Sequence, residues 1–376
     1  MKILITGGAG FIGSNLALNL LSIGHDVKVL DNLSKQIHGD DPLDSPLYIS
    51  IKDKVEFIKG SVKSKEDCRK ALQNIDVVVH LAAETGTGQS MYEIEHYTNI
   101  NIVGTAILLD IIANEKLPIK KFIVASSRAV YGEGKYRCKD HGIVFPTDRN
   151  IENLKAGIFN PKCNLCDSDL ILQPTDETSL LHPTSIYGIS KLTQEQMVLT
   201  FCKSLGISSI AFRYQNVYGP GQSLTNPYTG ILSIFSSRIR NNKDINIFED
   251  GIESRDFVYI DDVVNATIRG IELDIPICEA INVGSGVATN VNWIVEKLQL
   301  LLNINVKTKI TGQFRVGDIR HNYADITKLK KVLNFTPTVE IETGILNFVN
   351  WVKTEEIKED KYDQSLEQLK IRGLLK

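Results

Sequence analysis

No apolar run in this chain of 376 residues is long enough to span a bilayer, which excludes a protein inserted through helical spans. Neither sign of charge dominates: 42 Lys and Arg stand against 45 Asp and Glu, a net charge of -3. That balance gives no reason to expect nucleic acid or an anionic membrane as partner. The first residues, MKILITGG, enter a strand at once and lack the long apolar core and cleavage site of a signal peptide. A cytoplasmic protein with reduced thiols is the expectation. Six cysteines in a chain this long do not make a disulfide framework. The length is too great for one small core, so two lobes are expected.

What is present is alternation. KILITG (2–7), DVKVLDN (26–32), VEFIKGS (55–61), VVVHLAA (77–83), KKFIVASS (120–127) and SSIAFRY (208–214) read as buried strands separated by helical stretches. The first of those helices runs through residues 7–24, with Ile12, Leu16 and Leu20 on one face. Such strands alternating with helices predict an α/β fold, a doubly wound parallel sheet covered on both faces. A polar loop is expected after residue 32, through residue 50. From about residue 217 the pattern turns mixed, which predicts a smaller mixed α/β lobe over 217–353. Residues 132–175 break the alternation, rich in Gly, Pro, Asn, Asp and Cys, and read as an insertion. Residues 354–376 are charged and are expected to form a surface helix.

Gly7, Gly10 and Gly13 follow the first strand as G-x-x-G-x-x-G. Glycine is needed where a turn is tight and where backbone must approach a pyrophosphate, which then sits on the helix N-terminus. Asp31 ends the second strand at the separation expected of a carboxylate that accepts from the adenosine ribose hydroxyls. A carboxylate there repels a 2′-phosphate, and Asn32 supplies no compensating cation, so NAD is expected over NADP. Residues 1–131 and 176–216 are therefore expected to form a Rossmann-type NAD-binding domain.

Tyr187-Gly-Ile-Ser-Lys191 lies on a predicted helix, where i, i+4 spacing puts both side chains on one face. One ammonium about 4 Å from a phenol, at an effective dielectric near 20, is worth about 4 kcal/mol or about three pKa units. That would bring the phenol from about 10 to about 7, where a general base works best. Ser126-Ser127 ends a strand two elements earlier, and a hydroxyl there can hydrogen-bond the same substrate oxygen.

These residues sit among eight stretches that together resemble the extended short-chain dehydrogenase/reductases, in their nucleotide-sugar epimerase and dehydratase branch. The stretches are TGGAGFIG (6–13), HLAA (80–83), NIVGT (101–105), SSRAVYG (126–132), YGISK (187–191), RYQNVYGP (213–220), RDFVYIDDV (255–263) and RVGDIRHNYAD (315–325). The resemblance implies Ser127, Tyr187 and Lys191 as the catalytic group. It implies that Gly7, Gly10, Phe11, Ile12, Gly13, Asp31 and Asn32 contact NAD, together with Ser61, Leu81, Ala82, Ala83, Asn101, Tyr187 and Lys191; for Asn101, which matches an asparagine close to the catalytic group, an internal structural role is the equal alternative. Glu84, Thr85, Ser127, Arg128 and Asn216 are implied on the sugar side. Arg255 and Arg315 match arginines that hold the pyrophosphate, and Asp318 a ribose contact. Forked guanidinium donors suit phosphate oxygens.

Three departures from the family pattern stand out. Ser61 follows Gly60 where relatives usually carry Asp, and Gln215 replaces an aromatic residue. Arg128-Ala129 follows Ser127 where 4,6-dehydratases carry Asp-Glu to expel water, which argues for epimerase chemistry. Within the family, HLAAETGTGQSMYE, SSRAVYGEG and RVGDIRHNYAD are most similar to 4-epimerases of dTDP-L-rhamnose. Another 4-epimerase such as a UDP-glucose 4-epimerase, a dehydrogenase or reductase on the same scaffold, and a non-catalytic NAD-binding regulator are the alternatives. Relatives pair the helices around 97–115 and 187–204. These are apolar on more than one face here (Ile100, Ile102, Ile107, Leu108, Ile111; Met197, Val198, Leu199, Phe201), so a homodimer is expected.

The insertion carries two further pairs, Cys138-x-x-His141 and Cys163-x-x-Cys166. Each has the spacing that lets both side chains of a tight turn reach one ion. Three thiolates and an imidazole fill a zinc tetrahedron and leave no open position, which predicts a structural site. Free thiols beside a surface histidine, or a redox pair, are the rival readings.

Overall fold

The computed structural model describes residues 1–228 and 230–376. Seven strands form one sheet: β1 (Lys2–Thr6), β2 (Asp26–Asp31), β3 (Glu56–Lys59), β4 (Val77–His80), β5 (Lys121–Ser127), β6 (Ser208–Tyr214) and β7 (Cys278–Val283). Their order is β7-β6-β5-β4-β1-β2-β3, and every pairing is parallel. The strands read as apolar runs because both faces are covered. Ile3, Ile5, Val77, Val79 and Ile123 pack into one core, while Leu4, Val78, Phe122 and Val124 pack into the other. The order reverses between β1 and β4, and the carboxyl ends of the strands on either side of that point open a crevice.

The strand Ser254–Tyr259 organises the second lobe. It pairs in parallel with Asn216–Tyr218 and His321–Asn322, and antiparallel with Ala288–Asn290. The insertion is a three-stranded antiparallel sheet, with Tyr136–Cys138 between Gly142–Val144 and Ile171–Leu172.

Three expectations need correction. The second lobe is not continuous over 217–353, because β7 returns to the central sheet and pairs with β6. Residues 32–50 are not a plain loop; they hold the helix Lys35–His38 and the start of the helix Pro46–Ile51. The helix expected within 354–376 is present over Tyr362–Ile371, but it is not a mere surface helix. The helix Tyr362–Ile371 buries Tyr362, Leu366 and Leu369, and Arg238 anchors its start through Asp360 at 2.9 Å and Asp363 at 2.8 Å. Beyond it, Lys376 and Phe314 exchange backbone hydrogen bonds.

Candidate active site

The glycine turn comes first along the chain. Gly7 holds φ +70°, and a Cβ there would lie 2.8 Å from the Ala82 nitrogen. A Cβ at Gly13 would meet the Gly7 carbonyl oxygen at 2.4 Å, so this glycine lets the helix Phe11–Ser22 pack against the turn. At Gly10, the cap of that helix, a Cβ would meet only the Gly7 oxygen, at 3.3 Å. The surface that Gly10 leaves bare is open to a ligand, beside N–H groups that no earlier helical turn can engage. Asp31 is buried and accepts from the Ala9 N–H and the Leu33 N–H, each bond ending on a different carboxylate oxygen. This cradle fits a dinucleotide.

From the cradle a cavity of about 690 Å³ runs to the second lobe. It is lined by Gly7, Gly10, Phe11, Ile12, Gly13, Asp31, Asn32, Ser61, Leu81, Ala82, Ala83, Glu84 and Thr85. Ser127, Arg128, Tyr187, Lys191, Asn216, Arg255, Arg315 and Asp318 line it further along. Asn101 lies outside. It is fully buried, accepts from the Glu84 N–H, and donates to the Glu84 carbonyl and the Ser190 hydroxyl. Its place is that of a strut under the Glu84 backbone, not a cofactor contact.

Ser127 ends β5, and its hydroxyl oxygen accepts from the Ala129 N–H at 3.1 Å. Its neighbour Ser126 donates to Glu195, which also holds Arg213. Of the two serines, Ser126 is thus committed to a buried network and Ser127 faces the cavity. Tyr187 and Lys191 lie in the first turns of the helix Ile186–Leu205, whose start is capped by the Ser185 side chain accepting from the Gly188 N–H. The expected fall of the Tyr187 phenol to about 7 is not met. Burial pushes it above its ordinary value, against the opposing pull of the Ser127 hydroxyl and the Arg128 guanidinium. Lys191, the cation expected to support the phenol, is not among the groups that pull it down, and burial brings Lys191 itself down to about 7.

The far wall is cationic. Asp318 accepts from Arg255 at 2.9 Å and from Arg315 at 2.8 Å, one guanidinium on each oxygen. Burial pushes its carboxyl up, but Arg315, Arg255 and Arg128 together outweigh that and hold it well below the usual range. Arg128 donates to Asn216 at 3.0 Å, and burial beside Arg255 lowers it to about 10. Three guanidiniums around one carboxylate leave this wall positive, suited to a diphosphate.

Several lining residues were missed from the sequence: Phe248, Glu253, Tyr362, Leu366 and Leu369. The last three had a signal, apolar residues at i, i+4 and i+7 within a charged stretch. The Ser61 departure acquires a local explanation, since the Ser61 N–H donates to Asp67 and a carboxylate reaches this corner from the next helix. Gln215, the other departure, is buried with both amide atoms unpartnered among the described residues. A second cluster lies in the insertion, where the ligand atoms of Cys138, His141, Cys163 and Cys166 all fall within 4.8 Å of one another.

The profile of the NAD dependent epimerase/dehydratase family matches residues 3–150 and 166–284. The chain belongs to that family. The unmatched residues 151–165 fall inside the insertion. A dTDP-L-rhamnose 4-epimerase of Burkholderia thailandensis is 35% identical over 94% of this chain and 95% of its own length. A putative UDP-glucose 4-epimerase of Methanocaldococcus jannaschii is 30% identical over 93% of this chain and 98% of its own. Among solved structures, the UDP-glucuronic acid 4-epimerase of Bacillus cereus, in complex with UDP-glucuronic acid and NAD, superposes with a TM-score of 0.77. It is 27% identical and covers 94% of this chain and 99% of its own.

Proposed function

We propose that the protein is an NAD-dependent nucleotide-sugar 4-epimerase that interconverts dTDP-L-rhamnose and dTDP-6-deoxy-L-talose in the cytoplasm, as a homodimer. The observation that carries this reading is one cavity with a glycine cradle at one end, three arginines at the other, and Ser127, Tyr187 and Lys191 between them. When bound, NAD supplies the acceptor and later the donor of one hydride. Tyr187 takes the proton of the sugar 4-hydroxyl as C4 becomes a ketone, and Ser127 donates a hydrogen bond to that oxygen. The flat 4-keto sugar turns about its diphosphate link while Arg128, Arg255 and Arg315 keep their hold. Tyr187 returns the proton when C4 is reduced from its other face. Ala129 offers no acid or base to expel water, which favours epimerisation over dehydration. The dTDP-sugar assignment leans on the Burkholderia relative; the UDP-sugar epimerases at 27–30% identity favour a UDP-hexose as the second reading.

We also read the insertion's cluster as one structural zinc site. About a tetrahedral zinc, sulfur–sulfur edges are about 3.8 Å and sulfur–nitrogen edges about 3.6 Å. Here Cys138 lies 3.7 Å from Cys166, and His141 Nδ1 lies 3.5 Å from Cys138 and 3.7 Å from Cys163.

Purified protein incubated with dTDP-, UDP- and GDP-sugars, no cofactor added, tests the activity. Epimer formation from dTDP-L-rhamnose, with NAD released on denaturation, is expected. Turnover of UDP-sugars alone replaces the substrate assignment, and 4-keto product with loss of water replaces the reaction.

A further inference from the structure

We infer that the metal-closed insertion is a clasp on the loop Arg315–Arg320, so that zinc sets the grip on the substrate diphosphate and leaves the chemistry alone. This inference rests on the zinc reading given above.

The metal ligands join the two ends of a segment. Cys138 and His141 sit at its start, on the hairpin Tyr136–Cys138 and Gly142–Val144, and Cys163 and Cys166 close it. The Cys138 sulfur accepts from the Asp140 N–H, and the Ser168 hydroxyl lies 3.4 Å from Cys138 and 3.1 Å from Cys166. These are the donors that thiolates need once deprotonated for a metal.

Between the closed ends lie the contacts to the diphosphate loop. Arg149 donates to the Asp318 carbonyl at 2.9 Å and to the Phe159 carbonyl at 3.2 Å, and pairs with Glu249 at 2.8 Å. Asn160 accepts from Arg320 Nε at 2.9 Å. Leu154 and Phe159 form a small apolar cluster with Phe314, the residue just before Arg315. At the root of the insertion, the Glu133 carboxylate accepts the Arg320 N–H and lies 3.1 Å from Arg149.

Three apolar side chains cannot hold a segment of this length by burial alone. A metal crosslink removes much of the loop-closure entropy that would otherwise let the segment leave. The loop it grips carries Asp318, which sets the positions of Arg255 and Arg315. A displacement of about 1 Å there would spoil two guanidiniums at once. Tyr187 and the glycine cradle stand on other elements, though Thr184, just ahead of the Tyr187 helix, donates to the Gly317 carbonyl of the gripped loop at 2.7 Å.

The test compares wild type, Cys163→Ser and Arg149→Met. It uses metal analysis, calorimetry with dTDP and UDP as probes, and steady-state rates on whichever nucleotide sugar turns over. About one zinc per chain is expected in wild type, and its loss in Cys163→Ser. Both variants should bind the diphosphates about tenfold or more weaker and raise KM alike, with kcat within about threefold and NAD content unchanged. Arg149→Met should keep its zinc, which separates the clasp from the metal, and it decides the matter should Cys163→Ser fail to fold. A wild type without metal overturns the zinc reading. Zinc present, with unchanged diphosphate affinity in Arg149→Met, overturns the clasp while the zinc reading stands.

Discussion

Lys191 carries a cost that the fold accepts for the sake of the site. Burial takes its ammonium from 10.5 down to about 7. In the unfolded chain the group stays charged up to about 10.5, so below pH 7 the folded protein holds a charge it would shed if it could. The unfolded state binds more protons between pH 7 and pH 10.5, so stability rises with pH across that window. Lys191→Met removes the burden. In NAD-free protein its unfolding free energy from urea titration should exceed wild type most below pH 7, by at most about 5 kcal/mol, with the gap closing towards pH 10. A gap that does not change with pH would mean that the lysine is not held charged against its burial. Activity should vanish in Lys191→Met and in Tyr187→Phe alike. Ser127→Ala should retain more, losing about 100-fold. That these three residues line one cavity was legible from residue types and order. Their electrostatics were not, because spacing along a helix fixes proximity and says nothing about desolvation. Asn101 was left between two roles for a related reason: its position in a stretch resembling a cofactor site could not tell a ligand contact from the strut that holds the Glu84 backbone.

At the scale of elements, the parallel strands were readable because continuous apolar runs have few other uses. β7 escaped because CEAINV is short, opens with a polar pair and follows a lobe of different pattern. Only its pairing with β6 assigns it to the central sheet. A helix was expected near Tyr362–Ile371, but its buried face escaped because charge hides the apolar stripe. That stripe packs at the edge of the cavity, with Tyr362, Ser365, Leu366 and Leu369 lining it. Arg372 adds a cation–π contact on Tyr92 at 4.2 Å, tying the end of the helix to the first domain. The helix therefore belongs to the binding site. Leu366→Ala should lower stability by about 2–3 kcal/mol, the ordinary cost of a cavity at a buried leucine. Removing residues 362–376 should weaken dTDP and UDP binding and leave copurified NAD in place. Calorimetry with full affinity in the shortened chain would reduce the helix to a surface ornament.

For the whole molecule, two bodies meet at the cavity, and what remains outward decides assembly. Of the residues expected at a dimer face, Ile100, Leu108, Ile111 and Val198 pack into the chain's own core and cannot serve. Ile107, Met197, Leu199 and Phe201 lean against that core and are only partly covered by it. The same two helical stretches leave Val103 and Ile189 exposed by 41% and 47%, and Ile94, just ahead of the first, by 51%. Sequence alone could count apolar residues on these helices but not divide them between core and surface, since the sheet takes its share first. The exposed remainder lies on helices that pack against each other, which is where a second copy of the same helices is expected to pair. Light scattering at micromolar concentration should give about twice 41.9 kDa. Val103→Glu places a charge on that face at a residue that does not line the cavity; it should shift the mass to a monomer, with NAD still bound. Wild type at the mass of a single chain would falsify the homodimer and leave these three side chains as ordinary surface.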